Sequence, residues 1–308
     1  MPVSRRRFLG RFLAISASLT LAPAMGRAER ARHYWTGQAL GARASIRIDH
    51  PEAEAIVARC LSEIDRLENI LSLYRFNSAL SKLNRDGEFE APPFELLDCL
   101  TLSGAVYRSS GGLFDPTVQP LWALWAEAAV AGHRPSPEAR RAALSRVGWE
   151  GVRFDNARIA LPHDAALTLN GIGQGYVADR VAGLLKNEGL SHILIDTGEF
   201  RALEGQPDGA PWPVRLAGGG MVPLEQRALA TSSPLGTTFD SAGRDGHILD
   251  PRKGAPVQSA WREITITAPS AALADALSTA ACLMETRAEI DRMLAHHPDA
   301  RLESALAV

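Results

Sequence analysis

The segment Gly171-Ile172-Gly173-Gln174-Gly175-Tyr176-Val177-Ala178-Asp179 places a glycine-rich turn between a predicted strand at residues 166–169 and a predicted helix at residues 175–187. Glycine lets the backbone approach a phosphate group or a neighbouring element closely. The segment therefore indicates either a ligand-binding turn or a tight packing corner. A dinucleotide-binding turn is a further interpretation, since Asp196 ends the next predicted strand. That pattern, G-x-G-x-x-G, would however need glycine in place of Tyr176.

Hydrophobic periodicity on both sides of this turn predicts alternating helices and strands. Helices are predicted at residues 52–71, 94–109, 122–130, 138–146, 175–187 and 271–284. Strands are predicted at residues 44–48, 152–154, 166–169, 193–195, 222–232, 246–249 and 264–267, with a Gly/Pro-rich hairpin region at residues 198–220. Because hairpins outnumber β-α-β units after residue 195, we predict an α+β fold with largely antiparallel or mixed sheets.

The first 28 residues have the features of an export signal. Ser4-Arg5-Arg6-Arg7-Phe8-Leu9 is of twin-arginine form, and a weakly apolar run at residues 12–24 leads to small-residue cleavage positions. That run is shorter than the roughly 20 apolar residues of a transmembrane helix. We predict a periplasmic protein that loses residues 1–28, carries no lipid anchor and forms one domain over residues 29–308. The alternative is an ordinary surface helix with a basic start.

Composition and charge exclude several classes of protein. The 308 residues are 46% hydrophobic and 22% charged, which excludes a disordered tail and a disulfide-stapled miniprotein. With 33 Lys and Arg against 35 Asp and Glu, the net charge is −2, so no overall field attracts nucleic acid or acidic lipid. A polyanionic ligand must therefore be held by groups at its own binding site rather than by the charge of the whole protein. Cys60, Cys99 and Cys282 lie in apolar contexts and are predicted to be buried.

The predicted helix at residues 271–284 carries three oxygen-bearing side chains at helical spacing. Asp275, Ser278 and Thr279 stand at i, i+3 and i+4 among alanines and leucines, so they share one face. A buried carboxylate there needs a partner, and a hard cation such as Mg²⁺ fits carboxylate and hydroxyl oxygens. The alternative is that the hydroxyls bond back to helix carbonyls while Asp275 faces solvent.

Two further segments are informative. In Gly246-His247-Ile248-Leu249-Asp250-Pro251-Arg252-Lys253-Gly254 a predicted strand delivers His247 to a Pro/Gly turn, where an imidazole serves either as a general base or as a structural hydrogen-bonding group. Gly111-Gly112-Leu113-Phe114-Asp115-Pro116-Thr117-Val118-Gln119-Pro120-Leu121 predicts an ordered loop, because its prolines fix φ at two positions.

Four segments together resemble the bacterial FAD:protein FMN transferases, the ApbE family. They are Gly112 to Leu121, Leu169 to Asp179, His247 to Gly254 and Ala274 to Thr279, in the order and spacing of that family. The resemblance covers about residues 34–290 and implies an ApbE-like fold with a flavin cleft between two subregions. It also implies an enzyme that moves FMN from FAD to a threonine hydroxyl of an acceptor protein and releases AMP.

The resemblance implies a role for individual residues. Mg²⁺ would be bound by Asp275, Thr279, Ser278 and the backbone carbonyl of Gly171, and His247 corresponds to the family's proposed base. FAD would be lined by Leu40, Tyr74, Leu113, Phe114, Asp115, Thr168, Gln174 and Ile248. The chain departs from many relatives at Thr168, where they carry an acidic residue, and at Gln174, where they carry Lys or Glu.

The implied partner is an acceptor protein with a flavinylated threonine. A twin-arginine-exported, non-lipidated member is similar to those that serve nitrous-oxide respiration, whose acceptor is a membrane-bound flavin and iron–sulfur protein. No acceptor motif of the D-G-A-T type occurs in this chain, since Asp208-Gly209-Ala210 is followed by Pro211. The alternatives are a non-catalytic FAD-binding or delivery protein, an FAD pyrophosphatase that produces FMN and AMP, and a dinucleotide-dependent oxidoreductase.

Overall fold

The computed structural model describes residues 33–40, 42–48 and 50–308. The helices are α1 (Ala53–Leu71), α2 (Ala79–Asp86), α3 (Phe94–Ser109), α4 (Gln119–Val130), α5 (Pro137–Leu144), α6 (Gly173–Asn187), α7 (Ala271–Ala281) and α8 (Arg287–Leu294). The strands are β1 (His33–Ala39), β2 (Ala42–Ile48), β3 (Glu88–Glu90), β4 (Arg153–Phe154), β5 (Arg158–Ala160), β6 (Leu194–Asp196), β7 (Phe200–Ala202), β8 (Trp212–Arg215), β9 (Met221–Leu224), β10 (Ala228–Ser232), β11 (Leu249–Asp250), β12 (Ala255–Pro256), β13 (Trp261–Ala268) and β14 (Arg301–Ala307). The predicted signal peptide, residues 1–28, lies outside the described residues and stays a prediction.

The main sheet has seven strands in the order β1-β2-β6-β7-β10-β13-β14. Each neighbouring pair is antiparallel. Smaller antiparallel pairings join β3, β5 and β4, β8 and β9, and β11 and β12. The prediction of an α+β fold with largely antiparallel sheets is therefore confirmed. The dinucleotide-binding alternative loses its structural basis, because that motif needs a parallel β-α-β unit.

Helices α6 and α7 pack against each other and against this sheet. A Cβ on Gly175 would lie 2.2 Å from the carbonyl oxygen of Ala271, so glycine is needed where α6 meets the start of α7. The Asp179 carboxylate accepts hydrogen bonds of 2.9 Å from the backbone N–H groups of Ala271 and Ala272. It thereby satisfies donors that the first turn of α7 leaves unpaired. The glycine-rich segment is thus a packing corner as well as a turn.

The core lies between the sheet and its helices. Ile264 and Ile266 on β13 and Leu277 on α7 are completely buried, as are Leu67 on α1 and Leu100 on α3. Each such side chain contributes roughly 1.5–3 kcal/mol through removal from water. All three cysteines are buried and unpaired, as predicted. In the described part of the chain, no helix is long and apolar enough to span a membrane.

Several predicted elements have different bounds or are wrong. Residues 166–169 form no strand, because the backbone of Leu167 bonds to both ends of the Asn84 amide and the N–H of Thr168 bonds to Pro116. The predicted strand at residues 222–232 is two strands, β9 and β10, which belong to different sheets. The predicted strand at residues 246–249 is reduced to β11 and an isolated bridge between Thr238 and Gly246.

Candidate active site

One cavity of about 580 Å³ lies where the glycine-rich segment, α7 and the end of β10 meet. Its remaining walls come from the turn after β1, the loop after α1, residues 113–118 and the segment that carries His247. The predicted site residues that line it are Leu40, Tyr74, Leu113, Phe114, Asp115, Thr168, Gly171, Gln174, His247, Ile248, Asp275 and Thr279. Residues spread over the whole length of the domain therefore converge on one space.

Ser278, one of the predicted metal ligands, lies behind the cavity wall. Its side chain is completely buried and does not line the cavity. The hydroxyl donates to the carbonyl oxygen of Asp275 at 3.0 Å and contacts the Ser232 hydroxyl at 2.7 Å. Ser278 thus bonds back to its own helix, the behaviour expected of serine in a helix interior. It supports the cavity wall from behind.

Asp275 faces the cavity as a buried carboxyl group. It is 4% exposed, and its Oδ2 accepts a hydrogen bond of 3.3 Å from the backbone N–H of Gly175. Burial raises the pKa of Asp275, and the Gly175 N–H opposes that shift. A buried carboxylate with so little compensation favours a proton or a cation beside it.

Glu199 supplies a second buried carboxyl group to the same cavity. It follows β6, is 6% exposed, and accepts a hydrogen bond of 3.3 Å from the backbone N–H of Thr231. Burial raises the pKa of Glu199 well above its usual range, and the nearby charge of Asp275 adds to the rise. The prediction from sequence missed Glu199, because its place in the cavity depends on the pairing of β6 with β7 rather than on any local motif.

Gly171 and Thr279 are neighbours across the cavity wall. A Cβ on Gly171 would lie 3.2 Å from the Thr279 hydroxyl oxygen and 3.3 Å from the Phe114 ring. The Thr279 hydroxyl is also 3.3 Å from the Ser232 hydroxyl. The structure therefore brings Gly171 and Thr279 together with Asp275. Gly171 and Thr279 are two of the predicted metal ligands and are more than a hundred residues apart in sequence.

His247 is held as a neutral base. Its Nδ1 lies 3.1 Å from the carbonyl oxygen of Thr237, and since a carbonyl can only accept, the ring proton resides on Nδ1. The backbone N–H of His247 donates to the same carbonyl at 3.0 Å. Burial lowers the pKa of His247, against hydrogen bonds to the Thr237 and Pro234 carbonyls. With the ring proton on Nδ1, Nε2 carries the lone pair of the neutral imidazole.

The Asp115 carboxylate is engaged by its own turn, although the residue lines the cavity. Oδ1 accepts from the Thr117 N–H at 2.8 Å and from the Thr117 hydroxyl, and Oδ2 accepts from the Trp149 N–H at 3.3 Å. These bonds tie the loop after α3 to the short 3₁₀ turn at Trp149–Gly151. Burial raises the pKa of Asp115, and the bonds to Thr117 oppose that shift.

The ionisable side chains that line the cavity are mostly acidic. Glu68, Asp115, Glu199 and Asp275 provide four carboxyl groups. Among the lining residues that the structure describes, Arg75 is the one lysine or arginine, and it is bonded to Glu68 and Asp65. A pyrophosphate would thus meet repulsion here unless a cation came with it.

The oxygen atoms that the cavity residues offer fit a hard cation. Across residues 33–40, 42–48 and 50–308 no cluster of three or more His, Cys, Asp or Glu could hold a metal ion. A metal here would therefore depend on mixed oxygen ligands, for which Asp275, Thr279 and the Gly171 carbonyl are the candidates. Mg²⁺ accepts such a set, since it takes one or two carboxylates and completes its shell from phosphates and water.

Sequence reasoning also missed other lining residues. Among them are Glu68, Arg75, Trp122, Asn170, Glu199, Thr231 and Ser232. Trp122 packs edge-on against Phe239, which lies on the segment leading to His247. Asn170 bonds to the Tyr74 hydroxyl. Both contacts join segments distant in sequence, so no local pattern identifies them.

Residues 40–302 match the model of the ApbE family. FAD:protein FMN transferase of Klebsiella pneumoniae is 28% identical over 253 residues, covering 76% of this chain and 72% of the relative. Flavinyl transferase ApbE of Pseudomonas stutzeri, in its apo form, matches with 27% identity and a TM-score of 0.76, covering 88% of this chain and 89% of that structure. The ApbE protein of Thermotoga maritima matches with 26% identity and a TM-score of 0.78, covering 88% and 93%. The resemblance carried by the four motifs is confirmed, and the chain belongs to the ApbE family.

Proposed function

We propose that this protein transfers FMN from FAD to a threonine hydroxyl of an acceptor protein and releases AMP. The observation that carries the proposal is the meeting, in one cavity, of the buried Asp275, the Gly171 and Thr279 oxygens and the neutral His247. The relatives named FAD:protein FMN transferase support the transfer of FMN from FAD to a protein.

We further propose that the reaction depends on Mg²⁺. Asp275, Thr279 and the Gly171 carbonyl would hold the ion, and the surplus of carboxyl groups in the cavity is the reason that a cation is needed. When bound, the ion supplies charge neutralisation and orientation of the pyrophosphate. Glu199 places a second carboxyl group beside Asp275, and a bound cation would favour loss of its proton.

His247 acts as the general base. Its Nε2 takes the proton from the threonine hydroxyl while the threonine oxygen forms a bond to the phosphorus of the FMN half. The bond between that phosphorus and the bridging oxygen breaks, and AMP leaves with the bridging oxygen. The Thr237 carbonyl holds the Nδ1 proton and so keeps the imidazole in the required tautomer. Water in place of threonine would give FMN and AMP, the pyrophosphatase alternative.

The proposals for the acceptor and the compartment rest on the sequence. The twin-arginine form of Ser4 to Leu9 supports export to the periplasm. We propose a periplasm-facing, membrane-bound flavin and iron–sulfur redox protein as the acceptor. The net charge of −2 gives no support to nucleic acid as a partner.

The test combines the purified chain, FAD and Mg²⁺ with an acceptor domain that carries an Asp-Gly-Ala-Thr segment. Mass spectrometry should find one FMN added to the acceptor and an equal amount of free AMP. The control is the same acceptor with its threonine changed to valine, which should stay unmodified. Intact FAD and an unmodified acceptor would favour the binding or delivery alternative. Free FMN and AMP without an adduct would favour the pyrophosphatase.

A further inference from the structure

Glu68 on α1 joins two parts of the cavity wall that are distant in sequence. Its Oε1 accepts a hydrogen bond of 2.9 Å from the backbone N–H of Leu40, in the turn after β1. Its Oε2 accepts from the Arg75 guanidinium, with 2.9 Å to Nε, in the loop after α1. Leu40 and Arg75 both line the cavity. One carboxylate thus holds two walls with its two oxygens.

The turn at Leu40 needs such support. Leu40 has φ +49°, a left-handed conformation that is unfavourable for a residue with a Cβ. Its Cδ1 lies 3.0 Å from the position a Cβ on Gly173 would take, so the side chain packs on the glycine-rich segment. The bond to Glu68 therefore fixes a strained residue directly over the part of the cavity that Gly171 and Gln174 form.

The Arg75 end of the contact is equally well defined. Arg75 Nη1 bonds to the Asn69 side-chain oxygen at 2.9 Å and lies 2.8 Å from the Asp65 carboxylate. Each of the three guanidinium nitrogens therefore contacts a residue of α1, and the charge of Arg75 is paired with Glu68 and Asp65. Its neighbour Tyr74 also lines the cavity. Pairing with Glu68 fixes the position of this loop rather than supplying positive charge to a ligand.

We propose that Glu68 is a positioning residue for FAD: it clamps the turn at Leu40 to the loop at Tyr74 and Arg75 and so sets the shape of the wall that receives the dinucleotide. The inference rests on the proposed function, because FAD is the ligand concerned. Glu68 acts through Leu40 and Arg75. It takes no part in the transfer of the phosphoryl group.

The test compares Glu68→Ala with Glu63→Ala. Glu63 lies on the same helix, and its side chain is 17% exposed against 18% for that of Glu68. It is likewise bonded to an arginine, Arg66. Unlike Glu68, it does not line the cavity. Flavin fluorescence should show an FAD Kd raised roughly three- to tenfold in E68A, the range for loss of one or two hydrogen bonds. The KM for FAD should rise equally while kcat stays within about twofold.

Hydrogen exchange provides a readout independent of activity. The Leu40 amide should exchange faster in E68A and at the wild-type rate in E63A, because only the first variant loses its acceptor. In Glu68→Gln the uncharged oxygen still accepts from Leu40, so exchange there should stay close to the wild type. Loss of the charge-assisted bond to Arg75 should still raise the FAD Kd by about two- to threefold in E68Q.

Each outcome decides the inference. Wild-type FAD affinity in E68A or E68Q would overturn it, as would an equal rise in Kd in E63A. If E68A does not fold, E68Q provides the decision by the same criterion. Failure of the wild type to bind FAD would overturn the proposed function and this inference together, whereas FAD binding that is unaffected by E68A would overturn this inference alone.

Discussion

A Cβ on Gly175 would lie 2.2 Å from the carbonyl oxygen of Ala271 and 2.6 Å from the backbone nitrogen of Ala272. The backbone of α6 at Gly175 thus packs directly on the backbone of α7, so neither can move without shifting a helix. The same approach sets the 3.3 Å bond between the Gly175 N–H and Asp275. The geometry of the candidate metal site therefore depends on the absence of one methyl group in α6.

Gly175→Ala should accordingly lower the free energy of unfolding by roughly 1–3 kcal/mol, the cost of overpacking, measured by urea denaturation. Gly183→Ala is the matched control, since Gly183 lies in the same helix, is exposed, and has open space around its Cβ position. Alanine there should stabilise the helix by up to about 1 kcal/mol. Equal stabilities for the two variants would contradict the packing argument.

Removal of divalent cations should make the stability depend on pH. The pKa values of Asp275 and Glu199 are raised above their unfolded values near 4, so the folded metal-free chain binds more protons than the unfolded chain. Its stability should fall as the pH rises from about 4 through the folded pKa values. Excess Mg²⁺ should restore the melting temperature at pH 7.5, because the cation replaces the protons.

Asp275→Asn should flatten this pH dependence and weaken the response to Mg²⁺. Asp291→Asn, an exposed change on α8, should leave both responses as in the wild type. The measurement is the melting temperature in chelator and in Mg²⁺ across the pH range. A full Mg²⁺ response in D275N would mean that the cation binds elsewhere.

His247→Asn should separate catalysis from binding. The asparagine amide donates to the Thr237 carbonyl as Nδ1 does, but it has no basic nitrogen. We expect kcat to fall by roughly 10²–10⁴, the range for loss of a general base, with FAD affinity within about twofold. His192→Asn is the control, since His192 Nδ1 makes a similar 2.9 Å contact with the Gly205 carbonyl away from the cavity.

The pH profile of transfer follows from the lowered pKa of His247. The base is neutral above this pKa and protonated below it, so kcat should be constant around neutral pH and should decline only below pH of about 6.5, the ordinary value. The acidic limb should disappear in H247N. A decline that begins well above neutral pH would contradict the lowered pKa of the His247 imidazole.

Asp115→Ala should act mainly on stability. The variant leaves the Thr117 and Trp149 N–H groups without their acceptor, which should cost about 1–3 kcal/mol in the free energy of unfolding. Asp155→Ala removes a comparable acceptor from an exposed turn, where water replaces it, and should cost less. A larger loss in D155A than in D115A would refute a supporting role for Asp115.

The sequence predicts those parts of the site that depend on helical spacing and on glycine. Asp275 and Thr279, four residues apart in an apolar helix, lie at the cavity as that spacing indicates. The same spacing does not separate two adjacent hydroxyls, and Ser278 turns inward to Asp275 and Ser232. One face of a helix is wide enough to include both the cavity and its supporting wall.

The parts of the fold and the cavity that the sequence does not predict depend on contacts between residues that are distant in sequence. The backbone at Leu167 takes its hydrogen bonds from the Asn84 side chain, so an apolar, β-prone segment remains outside every sheet. Glu199 reaches the cavity because β6 pairs with β7, and Glu68 does so because β1 and β2 return to α1. These contacts join distant residues that carry no shared local pattern.

The order of strands in the main sheet has a consequence for folding. Ser45 on β2 pairs with Asp196 on β6, more than a hundred residues later, and β10 pairs with β13. Such long-range pairing closes large loops and slows folding. Because α7 packs on β10 and β13, Asp275 lies at the cavity only after most of the chain has been synthesised. The active site is therefore a late product of folding, and a ribosome-bound chain that ends before β13 cannot assemble it.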